Sequence, residues 1–245
     1  MEISDKIYIA VQNVLSFLTG GTECISCGKK TYALPLCKEC RNEFLTVTPF
    51  KSEERCSVCG KELVSEIGKC SECNEESERF LDALFPIHMY RLWKKDLLFA
   101  WKSQGQRSLS LFFASVVKAA IDLLKDCSVE FDSIIPVPPR PGKIKKKGWD
   151  QVDELVKILE KKFSLKAEYV LERVSSVEQK SLNKGERKGS LGAKYQLKSG
   201  AELNAKRCLI LDDVITTGST MEKCAKLLKK AGAEEVFGLS LFMVD

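Results

Sequence analysis

The sequence predicts an α/β fold in which a mostly parallel β-sheet is flanked by helices and preceded by a cysteine-rich module. Eight of the 11 cysteines lie between Cys24 and Cys73, in four C-x-x-C pairs. From Phe80 onward, short apolar runs alternate with stretches of helical length. This alternation is typical of a parallel sheet with helices on both faces.

Composition agrees with this division. A chain of 245 residues with 44% apolar content is long enough for one α/β domain and a smaller module, and it is not disordered as a whole. The net charge of +5 does not by itself indicate a nucleic-acid-binding protein. Five cations do cluster within eight residues without an acid, and their combined field would attract phosphate groups. They are Arg140, Lys143, Lys145, Lys146 and Lys147.

The N-terminal segment, residues 1–22, is predicted to be an amphipathic helix. Its apolar residues from Ile7 to Leu18 follow helical spacing, and no signal-peptidase site follows them. The alternative is that this helix binds a membrane surface. No window reaches the roughly 18 to 20 apolar residues that span a bilayer, so we expect a soluble, cytoplasmic protein without a membrane span.

Residues 23–79 are predicted to form a double zinc ribbon. Two C-x-x-C turns supply four thiolates to a tetrahedral zinc ion, and such closed sites are structural because no coordination position stays open. Disulfides and a thioredoxin-like redox pair are the alternatives, which the absence of a secretory signal and the tandem arrangement disfavour. The first quartet is Cys24, Cys27, Cys37 and Cys40, and the second is Cys56, Cys59, Cys70 and Cys73.

Residues 80–245 are predicted to form the α/β domain. In chain order, the pattern predicts a strand at 85–90, helices at 92–101 and 109–124, a strand at 131–137, a helix at 150–162, a strand at 168–174, a strand at 207–211, a helix at 220–230 and a strand at 236–244. The polar segment 175–200 is predicted to be a mobile loop or ribbon. His88 and the three cysteines outside the quartets are predicted to be packed residues.

The strongest functional motif follows the strand at 207–211. Asp212 and Asp213 come directly after this apolar run and are followed by a hydroxyl-rich turn and a helix, an arrangement suited to binding a phosphate and a sugar. A pair of acids that merely caps the helix is the alternative. The turn contains Thr216, Thr217, Gly218, Ser219 and Thr220.

This motif resembles the signature that binds 5-phosphoribosyl 1-pyrophosphate (PRPP) in type I phosphoribosyltransferases. The resemblance implies that the acids Asp212 and Asp213 hold the ribose hydroxyls and take part in catalysis. It implies that the hydroxyl-rich turn binds the 5'-phosphate and that Mg²⁺ accompanies PRPP.

The wider order of motifs resembles the ComF family of competence-associated, phosphoribosyltransferase-like proteins. The order is four C-x-x-C pairs, Ile135-Pro136-Val137-Pro138, Lys147-Gly148-Trp149-Asp150-Gln151, and the PRPP motif. Where the family commonly has Arg-Gly-Phe-Asn-Gln, this sequence has Lys-Gly-Trp-Asp-Gln. The replacement of an amide by an acid leaves open the contacts of residue 150.

The resemblance also implies a pyrophosphate-binding loop and a closing loop. The candidates for the pyrophosphate are Val137, Pro138, Arg140, Lys146, Lys147 and, more weakly, Lys102. A solvated basic loop is the alternative for the lysines. Lys180 and Arg187, in the polar segment, are candidates to close over the site.

Two functions of different class remain open from the sequence. One is an enzyme that transfers or removes phosphoribose, with magnesium pyrophosphate as the leaving group or attacking species. The other is a non-catalytic protein that binds PRPP, a nucleotide or single-stranded DNA during DNA uptake. The zinc module is then the expected contact for competence or recombination proteins.

Overall fold

The computed structural model describes residues 11, 14, 18, 20–32, 34–46, 50, 54–74, 79–174 and 194–244. Its strands are β1 (Thr22–Glu23), β2 (Lys30–Thr31), β3 (Ala83–Met89), β4 (Ser133–Pro136), β5 (Leu171–Val174), β6 (Lys194–Leu197), β7 (Arg207–Ile215) and β8 (Glu235–Met243). Its helices are α1 (Lys38–Leu45), α2 (Ser71–Asn74), α3 (Trp93–Lys102), α4 (Ser108–Asp126), α5 (Lys143–Lys147), α6 (Gln151–Phe163) and α7 (Ser219–Lys230).

The central sheet has four strands in the order β3-β8-β7-β4, and all neighbouring pairs are parallel. An isolated parallel bridge between Ile134 and Ala167 adds a short fifth segment beside β4. The central strands β7 and β8 are buried on both faces, which explains their nearly continuous apolar sequence. The predicted parallel sheet is therefore confirmed.

Helices cover both faces of this sheet. On one face, α3, α4 and α6 pack in a core with Leu209 and Leu211 of β7. On the other face, α7 packs against Cys208 and Ile210, the alternate residues of the same strand. Because successive side chains of a strand point to opposite faces, one apolar strand serves both cores.

The first cysteine module shares the core of the α/β domain. Phe44 of α1 is 1% exposed, and its ring centroid lies 4.0 Å from that of His88 and 6.1 Å from that of Phe242. The His88 Nε2 atom lies 3.0 Å from the carbonyl oxygen of Phe44, and burial lowers the pKa of His88 to about 3. His88 is therefore a neutral, packed strand residue, as predicted.

The second cysteine module lies directly against β3. Arg55 donates hydrogen bonds to the carbonyls of Gly60, at 3.1 Å, and Pro86, at 3.0 Å. A Cβ atom on Gly60 would lie 2.4 Å from Pro86 Cδ and 2.7 Å from the carbonyl oxygen of Leu84. The glycine thus lets the backbone of the module approach the strand more closely than any other residue could.

Comparing two glycines tests this close contact. Gly60 and Gly28 follow equivalent cysteines and have φ values of +70° and +72°, but nothing lies within 4 Å of a Cβ on Gly28. We expect Gly60→Ala to lower the free energy of unfolding by about 1–3 kcal/mol more than Gly28→Ala, because both share the backbone strain and only Gly60 adds a clash. Urea denaturation of the two zinc-loaded variants measures the difference, and equal losses would contradict the contact.

Some predictions needed correction or fall outside the described residues. The basic segment is not simply a loop, because α5 forms within it. The polar segment contains β6, which pairs antiparallel with β5, while residues 175–193 lie outside the description. Most of the helix predicted at 1–22 also lies outside the described residues. The boundaries at 22/23 and 79/80 stay predictions.

Within the described parts of the chain, no helix has the length and apolar character needed to cross a bilayer.

Candidate active site

The two acids lie where β7 extends beyond its neighbour. β4 ends at Pro136, which pairs with Leu211, whereas β7 continues to Ile215 and stays paired with β8. The acids are thus part of the strand and do not follow it, in contrast to the predicted end at residue 211. Their backbone is fixed on one side by β8 and their side chains lie at the carboxyl edge of the sheet, where ligands bind in parallel α/β folds.

Asp213 is paired with Lys102. The Lys102 Nζ atom lies 2.8 Å from one carboxylate oxygen of Asp213 and 3.0 Å from the other. Asp213 is only 6% exposed, so the charged lysine offsets the loss of hydration of its carboxylate. The structure therefore brings together a residue of the predicted acid pair and the weakest of the predicted pyrophosphate ligands.

The Asp212 carboxyl group has a raised pKa. Loss of hydration and the neighbouring Asp213 charge raise the pKa of Asp212 to about 8, although the backbone N–H of Asp213 donates to its Oδ1 at 2.8 Å. The Asp212 carboxyl therefore keeps its proton to a higher pH than an ordinary aspartate, beside an Asp213 that is paired with Lys102.

The hydroxyl-rich turn connects the acids to α7. Gly218 has a φ of +69° and immediately precedes the helix, whose first residue is Ser219. Thr216, Thr217 and Ser219 are exposed. The first N–H groups of a helix have no partner within the helix, so the turn offers backbone donors and hydroxyls to an anion. These are the groups that a phosphate monoester requires.

The basic segment, residues 140–147, is hydrogen-bonded to the backbone carbonyl of Lys102. The Lys147 Nζ atom donates to the carbonyl oxygen of Lys102, and Gln151 donates to the same oxygen at 3.2 Å. Loss of hydration and the charges of Lys143 and Lys102 lower the pKa of Lys147. The remaining pyrophosphate candidates lie at or after the end of β4, with Val137 and Pro138 buried and Arg140 and Lys146 exposed.

The acid at position 150 has a structural role. Asp150 is 3% exposed and accepts hydrogen bonds from the backbone N–H groups of Val152, at 3.0 Å, and Asp153, at 3.1 Å. Lys143 lies 2.5 Å from its other oxygen. Asp150 is thus the N-cap of α6, a role that an asparagine also fills well, so the family's usual amide is not required there.

A hydrogen-bond network that no sequence motif predicts positions Lys102. Trp101 donates to Ser110 at 2.9 Å, Ser110 donates to Glu154 at 2.8 Å, and Arg107 donates to the other oxygen of Glu154 at 2.6 and 2.9 Å. These hydrogen bonds hold the last turn of α3 against α4 and α6. Because Arg107 and Glu154 are 47 positions apart, no local motif contains them.

The eight cysteines fit two zinc ions. Within each quartet, the sulfur atoms all lie within 4.8 Å of one another. The Cys27–Cys37 and Cys59–Cys70 sulfur distances are both 3.7 Å, close to the about 3.8 Å expected across a tetrahedron with zinc–sulfur bonds of about 2.3 Å. The predicted composition of both quartets is confirmed.

Backbone donors favour the thiolate form at the first cysteine of each quartet. Burial alone would raise the pKa of Cys24, but hydrogen bonds from the backbone N–H groups of Cys37, Cys27 and Ser26 bring it down to about 6. Burial and backbone donors act in the same way at Cys56, whose pKa is also about 6. Thiolates bind zinc, so one sulfur of each quartet favours the metal-binding form, whereas burial raises the pKa of Cys59 and of Cys73 in the second quartet.

The remaining predicted residues, Lys180 and Arg187, lie outside the described residues. Their role in closing the site stays a prediction.

Comparison with known proteins agrees with this arrangement. Residues 144–241 match the model of the phosphoribosyl transferase domain. The chain is 30% identical to "Competence protein ComFC" of Streptococcus pneumoniae over 207 residues, which cover 84% of this chain and 86% of that protein. The chain belongs to the ComF family.

Two further relatives extend the comparison. "Competence protein F" of Haemophilus influenzae is 28% identical over 206 residues, covering 82% of this chain and 87% of that protein. "Transcriptional regulator GfcR" of Methanocaldococcus jannaschii is 26% identical over 164 residues, covering 62% of this chain and 67% of that protein. This ComF-family chain thus carries a phosphoribosyltransferase domain, and its relatives include proteins named for competence.

Proposed function

We propose that this protein binds PRPP with Mg²⁺ and transfers or removes phosphoribose. The observation that carries the proposal is the position of Asp212 and Asp213 at the carboxyl edge of β7, directly before an exposed hydroxyl-rich turn and the N-terminus of α7. This edge supplies hydrogen-bond acceptors for ribose hydroxyls and donors for a phosphate within nine consecutive residues, 212–220.

Each part of the site has a role in this function. Asp212 and Asp213 accept hydrogen bonds from the 2' and 3' hydroxyls of ribose. Thr216, Thr217, Ser219, Thr220 and the backbone at Gly218 bind the 5'-phosphate. Lys102, Lys147, Arg140 and Lys146 face the pyrophosphate, across the loop that begins at Val137 and Pro138. Mg²⁺ bound to the pyrophosphate would neutralise part of its charge, and the lysines and arginine of this loop would neutralise the rest.

The reaction consistent with this site is displacement at C1 of the ribose. A nucleophile forms a bond to C1 while the C1–oxygen bond to pyrophosphate breaks, and the bonding electrons leave with the pyrophosphate. Reversal of the same step removes phosphoribose. The carboxylates stabilise the positive charge that develops on the ribose, and the cations stabilise the departing anion, so positioning and electrostatics supply the catalysis.

A second candidate function is non-catalytic binding of PRPP, a nucleotide or single-stranded DNA during DNA uptake. The basic segment favours it, because Lys147 lies 5.4 Å from the ring centroid of Trp149, and Arg107, just before α4, lies 5.8 Å from the same ring. A cationic strip with an aromatic ring suits nucleic acid, and the affinity should then fall steeply with salt. The names of the competence relatives support a role in transformation.

We also propose a cytoplasmic location, and competence or recombination proteins as partners of the zinc module.

Calorimetric titration of the zinc-loaded protein with PRPP and Mg²⁺ tests the proposal. We expect saturable binding by the wild type and loss of binding in Asp212→Ala/Asp213→Ala, because the double variant lacks both ribose acceptors. Circular dichroism of the variant shows that it is folded. Absence of binding by the folded wild type contradicts the PRPP site and makes salt-dependent binding of single-stranded DNA the leading function.

A further inference from the structure

A groove of about 520 Å³ lies between α1 of the first cysteine module and α4 of the α/β domain. On α1 its lining residues are Lys38, Arg41, Asn42 and Leu45. On α4 they run from Ser108 to Ser115 with the same spacing of i, i+3, i+4 and i+7, which is one face of a helix. Seven residues of helix rise by about 10.5 Å, so the two walls accommodate about two turns of a third helix.

The floor of this groove is apolar. It is formed by Phe112 and by the partly exposed side chains of Leu34, Leu45 and Leu111. Phe112 is 7% exposed, and its ring centroid lies 5.5 Å from that of Phe44, so the floor is the outer surface of the main core. Leucine side chains that remain partly in water favour contact with apolar side chains of a partner.

The rim of the groove is cationic. Lys38, Arg41 and Lys162 line it, and no acid does so among the described residues. The acids of α1, Glu39 and Glu43, are exposed and lie outside the lining. The Arg41 Nε atom is buried and has no hydrogen-bond partner in the described parts of the chain. A buried donor left unpaired costs free energy, so an acceptor supplied by a ligand would stabilise this side chain.

We infer that this groove binds an acidic amphipathic helix of a protein partner. The apolar face of that helix packs on the leucines of the floor, and its carboxylates meet the cations of the rim. An amphipathic helix lying in a groove uses anchors at i, i+3, i+4 and i+7, the spacing that both walls present. The inference gives a surface and a chemistry to the partners proposed for the zinc module, and it does not depend on PRPP binding.

The composition of the lining favours a peptide over a nucleic acid. Single-stranded nucleic acid binds through cations combined with exposed rings on which its bases stack. Among the described lining residues, the aromatic side chain is Phe112, which is buried beneath the floor and offers no free face for stacking. A floor of leucines has no use for a phosphate backbone, whereas the same leucines bury apolar side chains of a helix.

The test uses two labelled synthetic peptides and the zinc-loaded full chain. Both peptides have about 14 residues, which is about four helical turns, with leucines at the spacing i, i+3, i+4 and i+7. One carries glutamates on its polar face and the other carries lysines. Fluorescence anisotropy at about 0.15 M salt measures the two affinities. We expect the glutamate peptide to bind at least about 10-fold more tightly than the lysine peptide, because three cations and no acid line the groove.

Neighbouring lysines of α6 provide a matched pair of variants. Lys162→Glu should weaken binding of the glutamate peptide about 3- to 30-fold, because an attraction becomes a repulsion. Lys161 is also exposed but does not line the groove, so Lys161→Glu should weaken binding less than about 2-fold at this salt concentration. On the floor, Leu111→Ser should weaken binding and Leu111→Met should retain it, because methionine keeps the apolar volume.

Several outcomes would overturn the inference. They are equal affinities for the two peptides, no binding of the glutamate peptide, equal effects of the two lysine variants, or an oligothymidylate that binds more tightly than the glutamate peptide and loses affinity in Lys162→Glu. Circular dichroism shows that each variant is folded. PRPP calorimetry on the same variants should match the wild type, so the groove and the proposed PRPP site are judged separately.

Discussion

Asp212→Asn is expected to stabilise the protein at alkaline pH while weakening PRPP binding. Asparagine keeps an oxygen that accepts the hydrogen bond from the backbone N–H of Asp213, at 2.8 Å in the wild type. It removes a carboxyl group that burial and the Asp213 charge disfavour in its ionised form. It also replaces one of the two carboxyl groups that accept from the ribose hydroxyls, so we expect PRPP affinity to fall about 10- to 100-fold.

The sign of the stability change follows from the pKa. Native Asp212 releases its proton near pH 8, whereas an aspartate in the unfolded chain does so near about 3.9. Between these values the native state binds more protons, so the stability of the wild type falls as pH rises. The variant has no such loss. The free energy of unfolding of the variant should therefore exceed that of the wild type by about zero near pH 4 and by about 1–2 kcal/mol at pH 9. This difference is smaller than the full pKa shift implies, because Asp212 is partly exposed to solvent.

Urea denaturation at several pH values, together with PRPP calorimetry, measures both effects. Asp213→Asn is the matched control with the opposite stability change, because it leaves Lys102 without the carboxylate that lies 2.8 Å away. An Asp212→Asn variant that is less stable than the wild type at pH 9 would show that the buried charge is compensated by other groups.

Loss of the first zinc site is expected to destabilise the protein more than loss of the second. Cys40 belongs to α1, whose Phe44 lies in the main core among His88, Phe113 and Phe242. Without zinc, α1 loses the thiolate anchor that holds Phe44 in place. We expect Cys40→Ser to lower the free energy of unfolding by at least about 3–5 kcal/mol, the usual cost of removing a core phenylalanine.

The second site has a smaller connection to the core. Its buried cysteines, Cys56, Cys70 and Cys73, form a small cluster of their own, and only Cys59 of this quartet also packs against the core of the α/β domain. Cys56→Ser should therefore cost less stability than Cys40→Ser, although each variant loses one of the two zinc ions per chain. Metal analysis by mass spectrometry and thermal unfolding measure the two effects. Cys127→Ser, outside both quartets, should keep both ions, and a larger loss in Cys56→Ser than in Cys40→Ser would contradict this order.

Much of the fold was predictable because its signals are local. The C-x-x-C pairs specify both metal quartets, since a knuckle brings two thiolates together through one turn. Apolar runs such as Cys208–Leu211 identify buried strands, and the sequence from Asp212 to Thr220 places acids, hydroxyls and a glycine in one strand–turn–helix unit. Each of these features depends on residues that are neighbours in the sequence, so no long-range information was needed.

Only the tertiary structure showed how distant residues complete the site. Lys102 meets Asp213 across 111 positions because α3 returns to the carboxyl edge of the sheet. The Arg107–Glu154 pair that supports this turn and the raised pKa of Asp212 likewise depend on packing. By itself, the sequence determined the two cysteine quartets, the parallel sheet and the strand–turn–helix unit that carries the acids and hydroxyls. Charge pairing and burial were decided by the folded structure, because both arise from contacts between segments that the sequence keeps far apart.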